Sequence, residues 1–241
     1  MIPRLPVQSL WIGPRLSTME RLAVSSFLAN GHDFHLYVYD EPEGVPAGAT
    51  ILDASRILPA SRIFRYKESG SLAGFSNFFR YRMLLETGGW WVDMDTVCLK
   101  PFDFPADYVI SSEMCRGAAV MDLAALRVPP GSALAQYMWD VCEAKDPGRL
   151  RWGETGPRLL AEAVRHCGLE EFIQPVETFC PVDYEDWESV ILRGDLELEP
   201  GAFAIHLWNE MWRDSATDKD CVYPAHCLYS KLKARYSGSY R

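Results

Sequence analysis

The chain has 241 residues and a formal charge of −9, with a pI near 5.1. A field of that sign repels phosphate, which excludes a nucleic-acid partner and leaves any anionic ligand to be met by a metal or a few local cations. Apolar residues make up 48% of the sequence, enough to fill the core of one domain over residues 1–241, and no repeat or long linker divides it.

Residues 7–12 read as a short apolar strand. "STME" follows, with Ser17 as a helix N-cap and Glu20 as its capping-box partner, and the helix is expected to run to Asn30 and stop at Gly31. "FHLYVYD" alternates Phe34, Leu36 and Val38 against His35, Tyr37 and Tyr39, a second strand ending at Asp40. "DEPEGVPAGA" is a polar loop. Residues 72–87 form the clearest helix, with Gly88 placed for its C-cap and a strand resuming at residues 90–93. Further strands are expected at 108–111, 118–121 and 202–208, and helices at 132–143, 156–167 and 223–236. Strands alternating with helices indicate an α/β fold, a mixed and mainly parallel sheet flanked by helices. Seven cysteines without a C-x-x-C pair fit reduced core thiols in a cytoplasmic protein. The amino terminus lacks a signal-peptide pattern, and no segment approaches the roughly 18 uncharged residues of a membrane span.

"GGWWVDMDTVCLKP", residues 88–101, sets two carboxylates about one methionine, behind two tryptophans. On an extended segment Trp91, Asp93 and Asp95 share a face, Val92 and Met94 take the other, and the carboxylates lie roughly 7 Å apart. One acid can then bind a divalent cation while the other takes a ribose hydroxyl or a metal-bound water, which suits a nucleotide diphosphate held through Mg2+ or Mn2+. The alternative is an ordinary acidic strand edge in solvent. At about 100° per residue the preceding helix brings Leu72, Ser76, Asn77 and Arg80 within an arc of about 140°. That face offers a hydroxyl, an amide and a guanidinium beside the acids; otherwise Arg80 is a surface cation paired with Glu86 or another acid.

"SLAGFSNFFRYRMLLETGGWWVDMDTVCLKPFD" resembles the signature region of the DXD-containing glycosyltransferases, the group that includes fungal mannosyltransferases, α-1,4-galactosyltransferases and, more distantly, the glucosyltransferase domains of large clostridial toxins. "LWIG" near the amino terminus, "TGP" at residues 155–157 and "HLWNEMW" at residues 206–212 extend the resemblance over most of the chain. It implies a GT-A-type nucleotide-diphosphate-sugar transferase fold. By position, it makes Trp11 the base-stacking residue and Leu72 and Ser76 further nucleotide contacts. Asn77 and Arg80 would hold the donor sugar, Trp91 would line the site, and Asp93 and Asp95 would engage ribose, sugar and metal. His206 either packs in the core or completes the metal shell, where imidazole favours Mn2+ over Mg2+, and Trp208, Asn209 and Trp212 flank it on the cofactor side. Asn77 departs from the family, which usually has aspartate there; an amide accepts a hydrogen bond but brings no charge and adds two donors.

The resemblance implies a retaining, metal-dependent transfer from a nucleotide-sugar donor, a UDP-sugar by preference, to a hydroxyl of a glycan or glycolipid acceptor. Asp93, Asp95, Arg80 and Asn77 would be the catalytic group, the cation and Arg80 stabilising the departing diphosphate. Two other readings compete. "DMDTVCL" also fits the D-x-D-x-T/V pattern of haloacid-dehalogenase-type phosphatases, although that motif belongs at the end of a first strand. A non-catalytic nucleotide-sugar-binding module is kept open by Asn77. The basic, aromatic tail from about residue 229, ending "KLKARYSGSYR", is either a solvated end or a peripheral contact with the inner face of an anionic membrane.

Overall fold

The structure, a computed structural model, describes residues 5–236. In chain order it contains β1 (Val7–Trp11), α1 (Thr18–Ala29), β2 (Phe34–Val38), β3 (Thr50–Asp53), α2 (Ala73–Thr87), β4 (Gly89–Val92), β5 (Thr96–Cys98), β6 (Val109–Cys115) and β7 (Ala118–Val128). There follow α3 (Ala133–Glu143), α4 (Pro157–Cys167), α5 (Ser189–Leu192), β8 (Ala204–His206), α6 (Asn209–Asp214) and α7 (Leu228–Tyr236). The capping box forms as expected: Ser17 accepts from the Met19 N–H, and the Ser17 N–H donates to Glu20 at 2.7 Å.

Six strands make one sheet in the order β3-β2-β1-β4-β7-β6. β1, β2, β3 and β4 pair in parallel; β7 runs antiparallel to both β4 and β6. All of β4 is buried, as a central strand covered on both faces must be, and its two tryptophans point to opposite layers. Trp90 joins the core formed with α1 and α7, while Trp91 joins the core formed with α2, α3 and α4. β5 and β8 form a separate two-stranded ladder in the first of these layers.

The turn from α2 into β4 depends on glycine. Gly88 has φ of +61°, and a Cβ there would come within 2.4 Å of the Pro130 backbone nitrogen.

Several expectations are corrected. β3, β5, α5 and α6 were not foreseen, β7 extends to Val128, and the closing helix starts at Leu228. Residues 93–95 are not extended: β4 ends at Val92, and the acids occupy a tight turn in which the Thr96 N–H donates to the Asp93 carbonyl at 3.0 Å.

Among the described residues no helix is long and apolar enough to cross a membrane. In the basic tail, Lys231, Lys233 and Arg235 donate to the carbonyls of Gly194, Cys221 and Leu99. Tyr240 and Arg241 lie outside the described residues.

Candidate active site

β1 stands where the strand order reverses, with β2 on one side and β4 on the other. In open α/β sheets ligands bind beyond the carboxyl ends of strands at such a switch point. Trp11 closes β1 and the acid pair follows β4, so both stand at the carboxyl ends of neighbouring parallel strands at this switch point.

The turn brings the acids together with the β5–β8 ladder. Thr96 pairs with His206, the Leu207 N–H donates to the Asp95 carbonyl at 2.9 Å, and Asp95 Oδ2 lies 3.2 Å from His206 Nε2. Ligand atoms of Asp93, Asp95 and His206 all fall within 4.8 Å of one another.

Asp93 uses one oxygen twice: Oδ1 accepts from the Trp91 indole at 2.9 Å and pairs with Arg80 at 3.0 Å. Arg80 is 5% exposed; it also donates to Ser76 Oγ at 3.1 Å and to the Leu123 carbonyl at 3.1 Å, and its guanidinium lies 4.6 Å from the Trp91 ring centre. Glu86 instead takes Arg82. Arg80 is therefore part of the acid cluster and not a surface cation.

The charges hold one another in place. Burial raises the Asp93 carboxyl above its ordinary range, Arg80 opposing and Asp95 adding to the rise. Burial acts the same way on Asp95, but His206 and the Asn209 N–H, donating at 2.8 Å, hold it down to about 2. Burial alone would lower His206; the carboxylates of Asp95 and Asp122 push it up to about 10.

The other expected residues divide. Ser76 is tied to Arg80, and Leu72 is the half-buried N-cap of α2. Asn77 is buried and donates to Thr155 Oγ1 at 3.4 Å, which joins the "TGP" segment to the α2 face. Trp11 is half-buried, and its indole N–H has no hydrogen-bond partner among the described residues. Trp208 packs on His206 with ring centres 4.0 Å apart and planes tilted by 43°, and donates to the Val182 carbonyl; its backbone is left-handed at φ +55°, a strain of about 1 kcal/mol for a non-glycine residue. Asn209 contributes its backbone N–H to Asp95 and its side-chain oxygen to Lys219. Trp212 is corrected to a core residue: it is 1% exposed, donates to the Leu207 carbonyl and packs against Trp187, Tyr223 and Tyr229.

Sequence reasoning missed Asp122, Lys219 and the irregularity that organises the site. In the β6–β7 ladder Ile110 pairs with Leu126 but Ser112 with Met121, so residues 122–125 bulge against Ser111 alone. The bulge frees backbone groups from the ladder. The Leu123 carbonyl takes Arg80, and the Ala124 carbonyl takes both the Asp93 N–H and the Thr96 hydroxyl, each at 3.1 Å. Asp122 Oδ2 caps the bulge by accepting the Ala124 N–H at 2.8 Å.

Two carboxylates and an imidazole, mutually within ligand reach, fit a divalent cation such as Mn2+ or Mg2+ by their donor chemistry. Asp93, Asp95 and His206 would hold it.

Residues 18–114, about two fifths of the chain, match the family described as glycosyltransferase sugar-binding region containing DXD motif. Among curated protein sequences none matches. Two solved structures share the fold. One, titled PaToxG glycosyltransferase, aligns at 16% identity over 70% of this chain and 72% of its own, with a TM-score of 0.54. The other, the glycosyltransferase GlyE of Streptococcus pneumoniae TIGR4, aligns at 14% identity over 99% of this chain with a TM-score of 0.51, and this chain covers 65% of its length. Residues 18–114, with the acid turn and its arginine, thus match the DXD-containing sugar-binding region of glycosyltransferases, and the chain shares its GT-A-type α/β fold with the two solved structures.

Proposed function

We propose that the chain transfers a sugar, with retention, from a nucleoside diphosphate sugar to a hydroxyl of a glycan or glycolipid, using a divalent cation. A uridine donor and manganese are the preferred pair. The observation that carries the reading is the Asp93, Asp95 and His206 cluster, with Arg80 locked beside it, at the switch-point edge of the sheet. Such an edge accepts a nucleotide, with Trp11 available to stack on its base.

In this reading the bond from the anomeric carbon to the diphosphate oxygen breaks, the acceptor oxygen bonds the same face, and its proton passes to the leaving oxygen. When bound, the cation supplies charge neutralisation for the departing diphosphate. Arg80 adds a fixed positive charge whose orientation is set by three partners. Asn77, held by Thr155 on the same helix face as Arg80, would contact the donor sugar. Asp93 and Asp95 stay ionised and serve as ligands, not as general acid and base.

The phosphatase alternative needs a nucleophilic aspartate after the first strand, whereas Asp93 follows β4 with one oxygen tied to Arg80 and Trp91. Incubating the protein and Mn2+ with a panel of uridine and guanosine diphosphate sugars, and following release of the nucleoside diphosphate, tests the proposal. Donor hydrolysis that EDTA and Asp95→Asn both abolish supports it. Nucleotide binding without turnover for any donor or acceptor would leave a binding module. Membrane contact by the carboxyl-terminal tail is tested by sedimenting the full chain, and a truncation after Tyr236, with anionic vesicles.

A further inference from the structure

The two nitrogens of His206 have different neighbours. Nε2 faces Asp95, while Nδ1 is buried without a hydrogen-bond partner among the described residues, on a residue only 7% exposed. On that second side lie a carboxylate and a thiol. Asp122 Oδ2 is 3.8 Å from Nδ1, and Cys180 Sγ is 3.5 Å from the same oxygen. All three residues are buried, and their ligand atoms lie within 4.8 Å of one another. A charge-assisted bond from imidazole to carboxylate spans about 2.7–2.9 Å, so the Nδ1 to Asp122 gap is too wide to be one. Ligands bound to tetrahedral zinc at about 2.0–2.3 Å stand about 3.3–3.8 Å apart, which matches both spacings.

We propose that Asp122, Cys180 and Nδ1 of His206 form a second cation site, suited to zinc, which opposes the catalytic ion by holding the imidazole the two sites share. The ligand sets separate the metals: thiolate with imidazole favours zinc, whereas two carboxylates with imidazole suit manganese or magnesium. Zinc on Nδ1 leaves the proton on Nε2, where it donates to Asp95, so His206 is withdrawn from the other site. Coordination releases the Cys180 thiol proton and the Nδ1 proton to solvent, with no change of oxidation state. Metal binding here stands apart from the transferase reading; its effect on turnover rests on that reading.

The full-length protein loaded with Co2+, a spectroscopic stand-in for zinc, is expected to show thiolate-to-cobalt charge-transfer absorption in the near ultraviolet. Cys180→Ser is expected to lose that band while binding Mn2+ within about twofold of wild type, read by electron paramagnetic resonance, because the oxygen-rich site keeps its ligands. Asp122→Asn keeps the thiol and is expected to weaken cobalt affinity by about 10-fold or more. In the donor-hydrolysis assay zinc inhibits wild type and spares Cys180→Ser. No thiolate band in wild type, an undiminished band in Cys180→Ser, or equal zinc inhibition of both overturns the proposal. If circular dichroism shows that Cys180→Ser does not fold, unchanged cobalt affinity in Asp122→Asn overturns it instead. A cobalt site in a protein that turns over no sugar nucleotide leaves this proposal standing and overturns the transferase reading.

Discussion

At the scale of single residues, Arg80 is where geometry and charge meet. Its guanidinium satisfies a carboxylate, a hydroxyl and a backbone carbonyl at once, which an ammonium cannot copy. Arg80→Lys is expected to lower kcat about 100-fold with little effect on folding, measured as nucleoside diphosphate release. Arg80→Ala is expected to cost about 2 kcal/mol as well, seen in urea unfolding, because Asp93 is left in the cluster without its cation; its 25% exposed side chain moderates the loss. His206 sets a pH dependence. With its imidazole pushed up to about 10, it must give up a proton to bind a cation, so manganese affinity is expected to rise with pH between about 6.5 and 9, checked by calorimetry. Half-buried Glu113 acts on stability: burial and repulsion from Asp122 push its carboxyl up to about 8, although His206 opposes. Its folded value lies above its unfolded one, so its contribution is complete below about 4.5 and lost as pH rises through 8. Glu113→Gln is expected to gain on the wild type in metal-free melts as pH rises from 5 to 8. Asp93, Asp95 and Arg80 were legible because their spacing is local. Asp122 left only the signal of one acid inside the apolar run "AAVMDLAALRV", which spacing arguments pass over.

At the scale of elements, caps and periodicity read true where the cause lies within a few residues. The Ser17 capping box and the Gly88 stop are of this kind. Gly88→Ala sets a side chain against the Pro130 backbone in a conformation that L residues rarely adopt, and is expected to cost about 3 kcal/mol, roughly 10 °C in a thermal melt. β5 escaped because it has only three residues, and its pairing with β8 is what makes it a strand. The acid turn was misread for the same reason. Nothing in "VDMDT" says that the chain leaves β4 there; the Ala124 carbonyl and the β5–β8 ladder decide it.

At the scale of the whole molecule, the proposed function asks an acidic protein to bind a polyanion at an acidic cluster. Arg80 in that cluster is already committed to Asp93, so on the proposed reading a nucleotide would need a divalent ion to approach. UDP is accordingly expected to raise the melting temperature in the presence of Mn2+ and not in EDTA, read by differential scanning fluorimetry. The α/β class followed from alternating elements, and the match of residues 18–114 to the DXD-containing region followed from several short motifs in order. The adjacency of the strands that carry Trp11 and the acid pair was not readable, because strand order is a property of the assembled sheet.

The bulge in β7 makes the candidate site part of the sheet's own hydrogen-bond lattice. Guanidinium and acid turn are pinned by carbonyls of that one irregular stretch, so neither can loosen while β7 keeps its neighbours. Loss of turnover in rising denaturant should therefore coincide with loss of the sheet, with no earlier step in which the fold survives and its chemistry fades.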